Sequence, residues 1–211
     1  MKNWISSDLH FWHRNVIKYC NRPYGSVEEM NEGIIENFNS VIAPDDNLYL
    51  LGDISFSSGK LAAEMLSRMN GNKHLIIGNH DAKIIKDLRF LEELSSFSYY
   101  KEKKIGGANV VMMHYPIHSW NRKHYGSIHL FGHLHGNPID LGSGRYKDVG
   151  VDTNNMMPYN LDTLVEEMLR WDYKHKESHS HEETRNSIRG FGGHLRGSVK
   201  EIEFMMGEKN V

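Results

Sequence analysis

Apolar positions along the chain fall into short continuous runs and helical stripes that alternate. Asn3–Ser7 predicts a strand that ends at Asp8. Ser26 followed by Glu29 forms a capping box, and the helix it opens carries Val27, Met30, Ile34 and Phe38 on one face. Asn47–Leu51 predicts a second strand, running into Gly52-Asp53. Leu61, Met65, Leu66 and Met69 mark a second helix. Lys73–Ile77 is a third strand, closed by Gly78-Asn79-His80-Asp81, and Ile84, Ile85, Leu88 and Leu91 mark a third helix. The style then changes. Ser98–Ile105, Gly106-Gly107 and Asn109–His114 predict a β-hairpin. Ser127–Phe131 and Tyr146–Val151 are further strands, and Leu161, Leu164, Val165, Met168 and Leu169 form a last helical stripe. Three β-α units, a mostly β region and a final helix predict an α/β layered domain with helices outside the sheets.

The pattern stops after Trp171. Residues 172–211 carry seven basic and seven acidic residues, and no regular period before Val199–Met206. A 211-residue chain fits one domain plus an extension, at roughly 150 residues per domain. The expected division is therefore a domain at 1–171 and a polar, His-rich tail at 172–211, flexible or docked on a partner. Net charge is −2, which argues against a surface that holds nucleic acid by overall positive charge; a local basic groove stays open. The single cysteine, Cys20, rules out an intramolecular disulfide and a cysteine-rich zinc site. No run of about 18 apolar residues is present to cross a membrane. The opening MKNWISSDLHFWHR turns polar too early for a signal peptide, so the expectation is a cytoplasmic protein.

Histidine changes the picture. Of 14 histidines, ten lie within residues 10–135 and four (His175, His179, His181, His194) in the tail. Five clusters place metal-ligand types just after an apolar strand: Asp8-Leu9-His10, Gly52-Asp53, Gly78-Asn79-His80-Asp81, His114 and Gly132-His133-Leu134-His135-Gly136. In open α/β sheets, sites form at the carboxyl ends of strands. Asp8 and His10, like His133 and His135, are two apart, so on an extended segment their side chains leave on the same side. A mixed Asp/His/Asn set suits Mn, Fe, Ni, Co or Zn and poorly suits Ca. Gly52, Gly78 and Gly132 precede ligand types where crowding or a positive φ favours glycine.

The ordered blocks Asp-x-His, Gly-Asp, Gly-Asn-His-Asp, His and Gly-His-x-His, over residues 8–135, resemble the calcineurin-like metallophosphoesterase superfamily. Phe11-Trp12-His13-Arg14-Asn15 with Arg22-Pro23 resembles a small prokaryotic and phage branch of it. The resemblance implies a four-layer α/β/β/α sandwich and a dinuclear site. One divalent metal would take Asp8, His10, Asp53 and His135; the other would take Asp53, Asn79, His114 and His133. Manganese is the first expectation, with iron, nickel or zinc as alternatives. A hydroxide between the metals would attack phosphorus, and His80 would protonate the leaving oxygen. Phe56, Ser57 and Ile77 stand where the protein-phosphatase branch has Asp, Arg and Arg, which disfavours a phosphoprotein substrate. About twenty residues separate His114 from His133, too few for a nuclease cap. The expected activity is a phosphodiesterase on a small or nucleotide-type substrate. The rivals are a phosphomonoesterase on nucleotides or metabolites, a nuclease and a non-catalytic scaffold. The filled ligand positions speak against the scaffold. Oligomeric state stays open.

Candidate substrate contacts are Arg14, Asn15, Trp120, Arg122 and His124. Arg14 and Asn15 follow the first ligand pair and read equally as a solvated helix start. The loop from His118 to His124 would rim the site and stack a base, or be an ordinary surface loop. Asp81 reads as a helix-start charge ahead of a partner for a ligand. Asp152, Asn154 and Asn155 read as turn residues, and His74 and His129 as packing histidines.

Overall fold

The computed structural model describes residues 1–171; the expected tail at 172–211 lies outside the described residues. Two sheets carry the fold. The first has strand order β4-β3-β2-β1-β9, formed by β1 (Asn3–Ser6), β2 (Asn47–Leu50), β3 (Asn72–Ile76), β4 (Ser96–Ser98) and β9 (Tyr159–Asn160). Strands β1 to β4 are parallel and β9 is antiparallel to β1. The second sheet has order β5-β6-β7-β8, from β5 (Tyr100–Ile105), β6 (Ala108–Met113), β7 (Ile128–Phe131) and β8 (Arg145–Asp148). There β5 and β6 form the hairpin and β6, β7 and β8 run parallel.

Alternation along each strand sorts the core into three clusters. Trp4, Leu48, Leu50 and Leu75 face α2 (Val27–Val41) and α3 (Gly59–Ser67), burying Met30, Ile34, Phe38, Met65 and Leu66. Ile5, Tyr49, Leu51 and Ile76 face the other way, packing with Val110, Met112, Ile128 and Leu130 of the second sheet and with Leu161, Leu164 and Met168 of α5 (Leu161–Leu169). Val111 and Phe131 point to the far side, under Trp120 and Leu141. The expectation of a mixed α/β protein with paired sheets is met. Among the described residues, loops rather than a helix cover the outer face of the second sheet.

Several boundaries differ for physical reasons. The third expected helix divides into a 3-10 turn at Ile84–Lys86 and α4 (Leu88–Glu92). Asp87 sits between them in extended conformation and caps the Arg89 N–H, and Leu88 faces solvent instead of the core. Ser98–Ile105 is not one strand, because the chain leaves the first sheet at Ser98 and enters the second at Tyr100. The last expected strand stops at Asp148 and continues as a 3-10 turn at Val151–Thr153. The short helix α1 (Arg14–Tyr19) and the two-residue β9 carry too little periodicity to be read from the sequence.

Candidate metal centre

The parallel strands all end on one side, and the candidate residues follow those ends. Backbone hydrogen bonds knit the loops together. Asp8 N donates to Gly52 O and His10 N to Asp53 O, each at 3.0 Å, and Val151 N donates to Ser7 O at 3.0 Å. The last bond accompanies a Ser7–Gly150 bridge that ties the end of β1 to the end of β8. Asp8, His10, Asp53, His133 and His135 all have positive φ, between 51° and 71°. The ligand pairs therefore do not lie on extended segments, as the two-residue spacing implied. Asp and His tolerate single left-handed residues better than most, at about 1–2 kcal/mol each. Glycine reads as expected: a Cβ on Gly132 would sit 1.9 Å from Ser7 Oγ, and one on Gly78 2.4 Å from Asp53 Oδ1. Gly52 itself has φ +86°.

Two donor groups form around Asp53. In one, Asp8, His10 and His135 offer ligand atoms within 4.8 Å of one another; in the other, Asp53, His114 and His133 do so. The Asp53 carboxylate faces both, with Oδ2 3.7 Å from His10 Nε2 and Oδ1 3.6 Å from His114 Nε2. Asn79 Oδ1 lies 2.9 Å from His114 Nε2. His80 Nε2 lies 3.9 Å from Asp53 Oδ2, and the His80 main-chain N–H donates to Asp53 Oδ1 at 2.9 Å. All eight residues expected at a dinuclear site thus meet at one end of the fold.

This arrangement fits cations. Asp8 Oδ1, His10 Nδ1 and His10 Nε2 are buried without a hydrogen-bond partner. A buried polar atom left so costs free energy unless something binds it. Burial pushes the Asp8 carboxyl up to about 6 and holds His10 far below its ordinary value, hence neutral. In the second group, His114 Nδ1 lies 2.7 Å from Leu51 O and must donate to it. Its Nε2 lies 2.9 Å from the Asn79 amide oxygen, so the two atoms sit together as a candidate pair of ligands. Cys20 Sγ comes near His135 and Asp152. Burial pushes that thiol up to about 11, which leaves it protonated.

Three supporting side chains escaped the sequence reading of their roles. Arg22 is buried; its Nη2 and Nη1 donate to Asp8 O (2.7 Å) and Leu9 O (2.8 Å), and its Nε to Asp152 Oδ1 at 2.8 Å. Asp152 Oδ2 then accepts from His135 Nδ1 at 2.7 Å, which leaves His135 Nε2 free to face Asp8. Burial alone would lower the His135 pKa, but the Asp152 hydrogen bond and the Asp8 and Asp152 charges outweigh it and raise it. Asp152 is therefore more than a turn residue. Asp81 starts no regular helix. Its buried carboxylate accepts from Gly78 N (2.8 Å), Asp53 N and Ile54 N (both 2.9 Å), pinning the Asp53 and Asn79 loops together.

The candidate substrate contacts fare differently. Trp120 is buried, donates to Ser127 O at 3.4 Å and packs in the cluster outside the second sheet, so it is a core residue and does not stack a base. Arg122 lines a cavity of about 320 Å³ with Gly107 of the hairpin and Arg145 at the start of β8. That is the opposite end of the second sheet from His114 and His133. His124 is exposed on the 3-10 turn Lys123–Tyr125 leading into the start of β7, again away from the strand ends. Arg14 and Asn15 are exposed at the first turn of α1, just after His13, whose ring lies 5.3 Å from His10. The side chains that do rim the donor groups are Phe56 and Tyr115, 41% and 39% exposed. His74 and His129 are packing histidines, as read: His74 bonds Ser96 and Asn47, and His129 is buried against Val111 O.

Fold and site define a two-sheet α/β protein with a candidate metal centre at its strand ends. No protein-family model matches the chain. It is 36% identical over 171 residues to the uncharacterized protein MJ1445 of Methanocaldococcus jannaschii, covering 78% of this chain and 89% of that one. It is 30% identical over 179 residues to the gene 66 protein of Mycobacterium phage L5, covering 71% of this chain and 86% of the phage protein. The chain belongs to the family these two proteins share. The crystal structure of AQ665, a protein of unknown function from Aquifex aeolicus, has the same fold; its TM-score is 0.62 at 22% identity, covering 78% of this chain and 98% of that one.

Proposed function

We propose that residues 1–171 form a phosphohydrolase of the calcineurin-like metallophosphoesterase type, which cleaves small or nucleotide-type phosphodiesters with two divalent cations. The observation that carries this reading is the Asp53 carboxylate, turned with one oxygen toward His10 and the other toward His114. A carboxylate so placed is suited to bridge two cations. Asp8, His10 and His135 would hold one with Asp53; Asn79, His114 and His133 would hold the other. What a pair of cations supplies in such a cradle is acidified water and neutralisation of phosphate charge.

The chain's own groups do the rest. Asp152 and the Leu51 carbonyl accept hydrogen bonds from Nδ1 of His135 and His114, which orients each ring so that Nε2 is the atom offered to a cation once its proton is displaced. His80 is the general acid. Its side chain is 43% exposed, and its Nε2 opens beside Asp53, where it donates a proton to the departing oxygen. A diester suits this site better than a monoester dianion. The buried guanidinium among the ligand loops, that of Arg22, is committed to Asp152 and to two carbonyls and is not offered to a dianion.

The test is hydrolysis of bis(p-nitrophenyl) phosphate and p-nitrophenyl phosphate by chelator-treated protein, with and without added Mn²⁺. Metal-dependent cleavage that favours the diester is expected. His80→Ala should retain metal, by calorimetry, and lose about 10²–10⁴-fold in turnover. A fully active His80→Ala protein refutes the acid role, and preference for the monoester refutes the diester assignment.

A further inference from the structure

The two exposed aromatic rings at the centre flank it from opposite sides. Phe56 stacks face to face on His13, with centroids 3.8 Å apart and planes at 14°. It also lies 4.3 Å from the His80 ring and 5.2 Å from His10, the two imidazoles that face Asp53 Oδ2. Tyr115 lies 5.0 Å from His114 and 4.9 Å from His133, on the side of Asp53 Oδ1. Both rings are about two-fifths exposed, although large apolar side chains close by (Phe11, Leu51, Ile54) are fully buried. His13 backs Phe56, and His114, against which Tyr115 packs, is held by Leu51 O.

We infer that Phe56 and Tyr115 form an aromatic clamp that selects phosphodiesters bearing a nucleobase, each ring offering a stacking face beside the phosphate. The inference rests on the phosphodiesterase reading above. Phe56, next to His80, receives the leaving-group side, and Tyr115 the retained side. Base–aromatic stacking tolerates every base, so the clamp selects for a planar group without selecting sequence.

The experiment compares two diesters with the same p-nitrophenolate leaving group, thymidine 5′-p-nitrophenyl phosphate and methyl p-nitrophenyl phosphate, on the full chain with Mn²⁺. Because the leaving group is identical, the ratio of their kcat/KM values reads the retained group alone. A preference of about 5- to 150-fold for the thymidine ester is expected, expressed mainly in KM. Tyr115→Ala should bring the ratio close to one, Tyr115→Phe should restore it, and Phe56→Ala should leave it largely intact. For Phe56, methyl thymidine-3′-phosphate and thymidylyl-thymidine supply leaving groups without and with a base; Phe56→Ala should erase the advantage of the second and Phe56→Tyr should keep it. A wild-type ratio near one, or ratios that both alanine variants leave unchanged, overturns the clamp. Oligothymidylates of rising length separate the two sources of this chemistry. A constant kcat/KM marks a short nucleotide diester, and a rise with length that salt abolishes marks a longer strand.

Failure of the clamp and failure of the hydrolase reading stay distinguishable. If no ester turns over, calorimetry with thymidine 5′-methylphosphate against dimethyl phosphate decides. Base-dependent binding that Tyr115→Ala removes upholds the subsite and sinks the hydrolase. Equal binding of the two sinks both.

Discussion

The two donor groups at the strand ends are built differently. The Asp8–His10–His135 group is wired to charge: Asp8 and His10 are buried, and His135 leans on the Arg22–Asp152 ion pair, itself buried. The Asp53–His114–His133 group is wired to backbone: His114 bonds a carbonyl, Asp53 accepts from the His80 N–H, and His133 is exposed. The first group thus couples to the fold through a salt bridge with a partner far along the chain, and the second through loops that end neighbouring strands. A cation in the first group should be held tightly and shielded. One in the second should exchange more readily.

The strongest challenge to this contrast is Asp53→Asn, which touches both groups. It should cut metal-dependent turnover by about 10³-fold or more and remove calorimetric binding of the second cation. Arg22→Ala comes next. It takes the buried guanidinium from Asp152, which then keeps only its hydrogen bond from His135, so the chelated protein should lose about 3–5 kcal/mol, read as a fall in Tm of about 6–20 °C. An unchanged Tm would show that the buried pair does not hold the first group. Asp152→Asn keeps the shape and removes the charge; affinity for one cation only should drop about 10- to 100-fold. Equal weakening of both cations would erase the distinction between the groups. The smallest effect is expected from His133→Gly, assayed in chelator. Relief of its positive φ should raise stability by about 1 kcal/mol, and a lower Tm would count against strain at this position.

The eight residues that converge were legible because their types cluster immediately after apolar runs, and strand ends gather on one side of parallel sheets. Helix α2 was legible from its stripe and its Ser26–Glu29 box, which the structure shows as the Ser26 cap of the Glu29 N–H. What stayed hidden depends on distance or on dihedrals. Arg22 and Asp152 are 130 residues apart, so no local spacing announces their bond. The left-handed backbone at Asp8 and His10 leaves no periodic trace. The run from Ser98 to Ile105 reads as one strand because nothing in its pattern marks Tyr99, where the chain changes sheets. Trp120 shows the limit of residue type as a guide: an aromatic in a polar loop fits a rim or a core equally, and here the outer face of the second sheet claims it.

The Ser7–Gly150 bridge joins loops that lie far apart in the sequence, and this sets a timetable. Asp8, His10, Asp53 and Asn79 leave the ribosome well before His133 and His135. At about 5–20 residues per second, the eighty residues between Asp53 and His133 take roughly 4–16 s to synthesise. During that interval β1, β2 and β3 can pair, but the nascent chain holds two incomplete half-sites and no Asp152 for Arg22. A cation that needs both donor groups would wait until His133, His135 and Asp152 have been made, and a chain truncated before His133 would be left with carboxylates and imidazoles that nothing has yet drawn together.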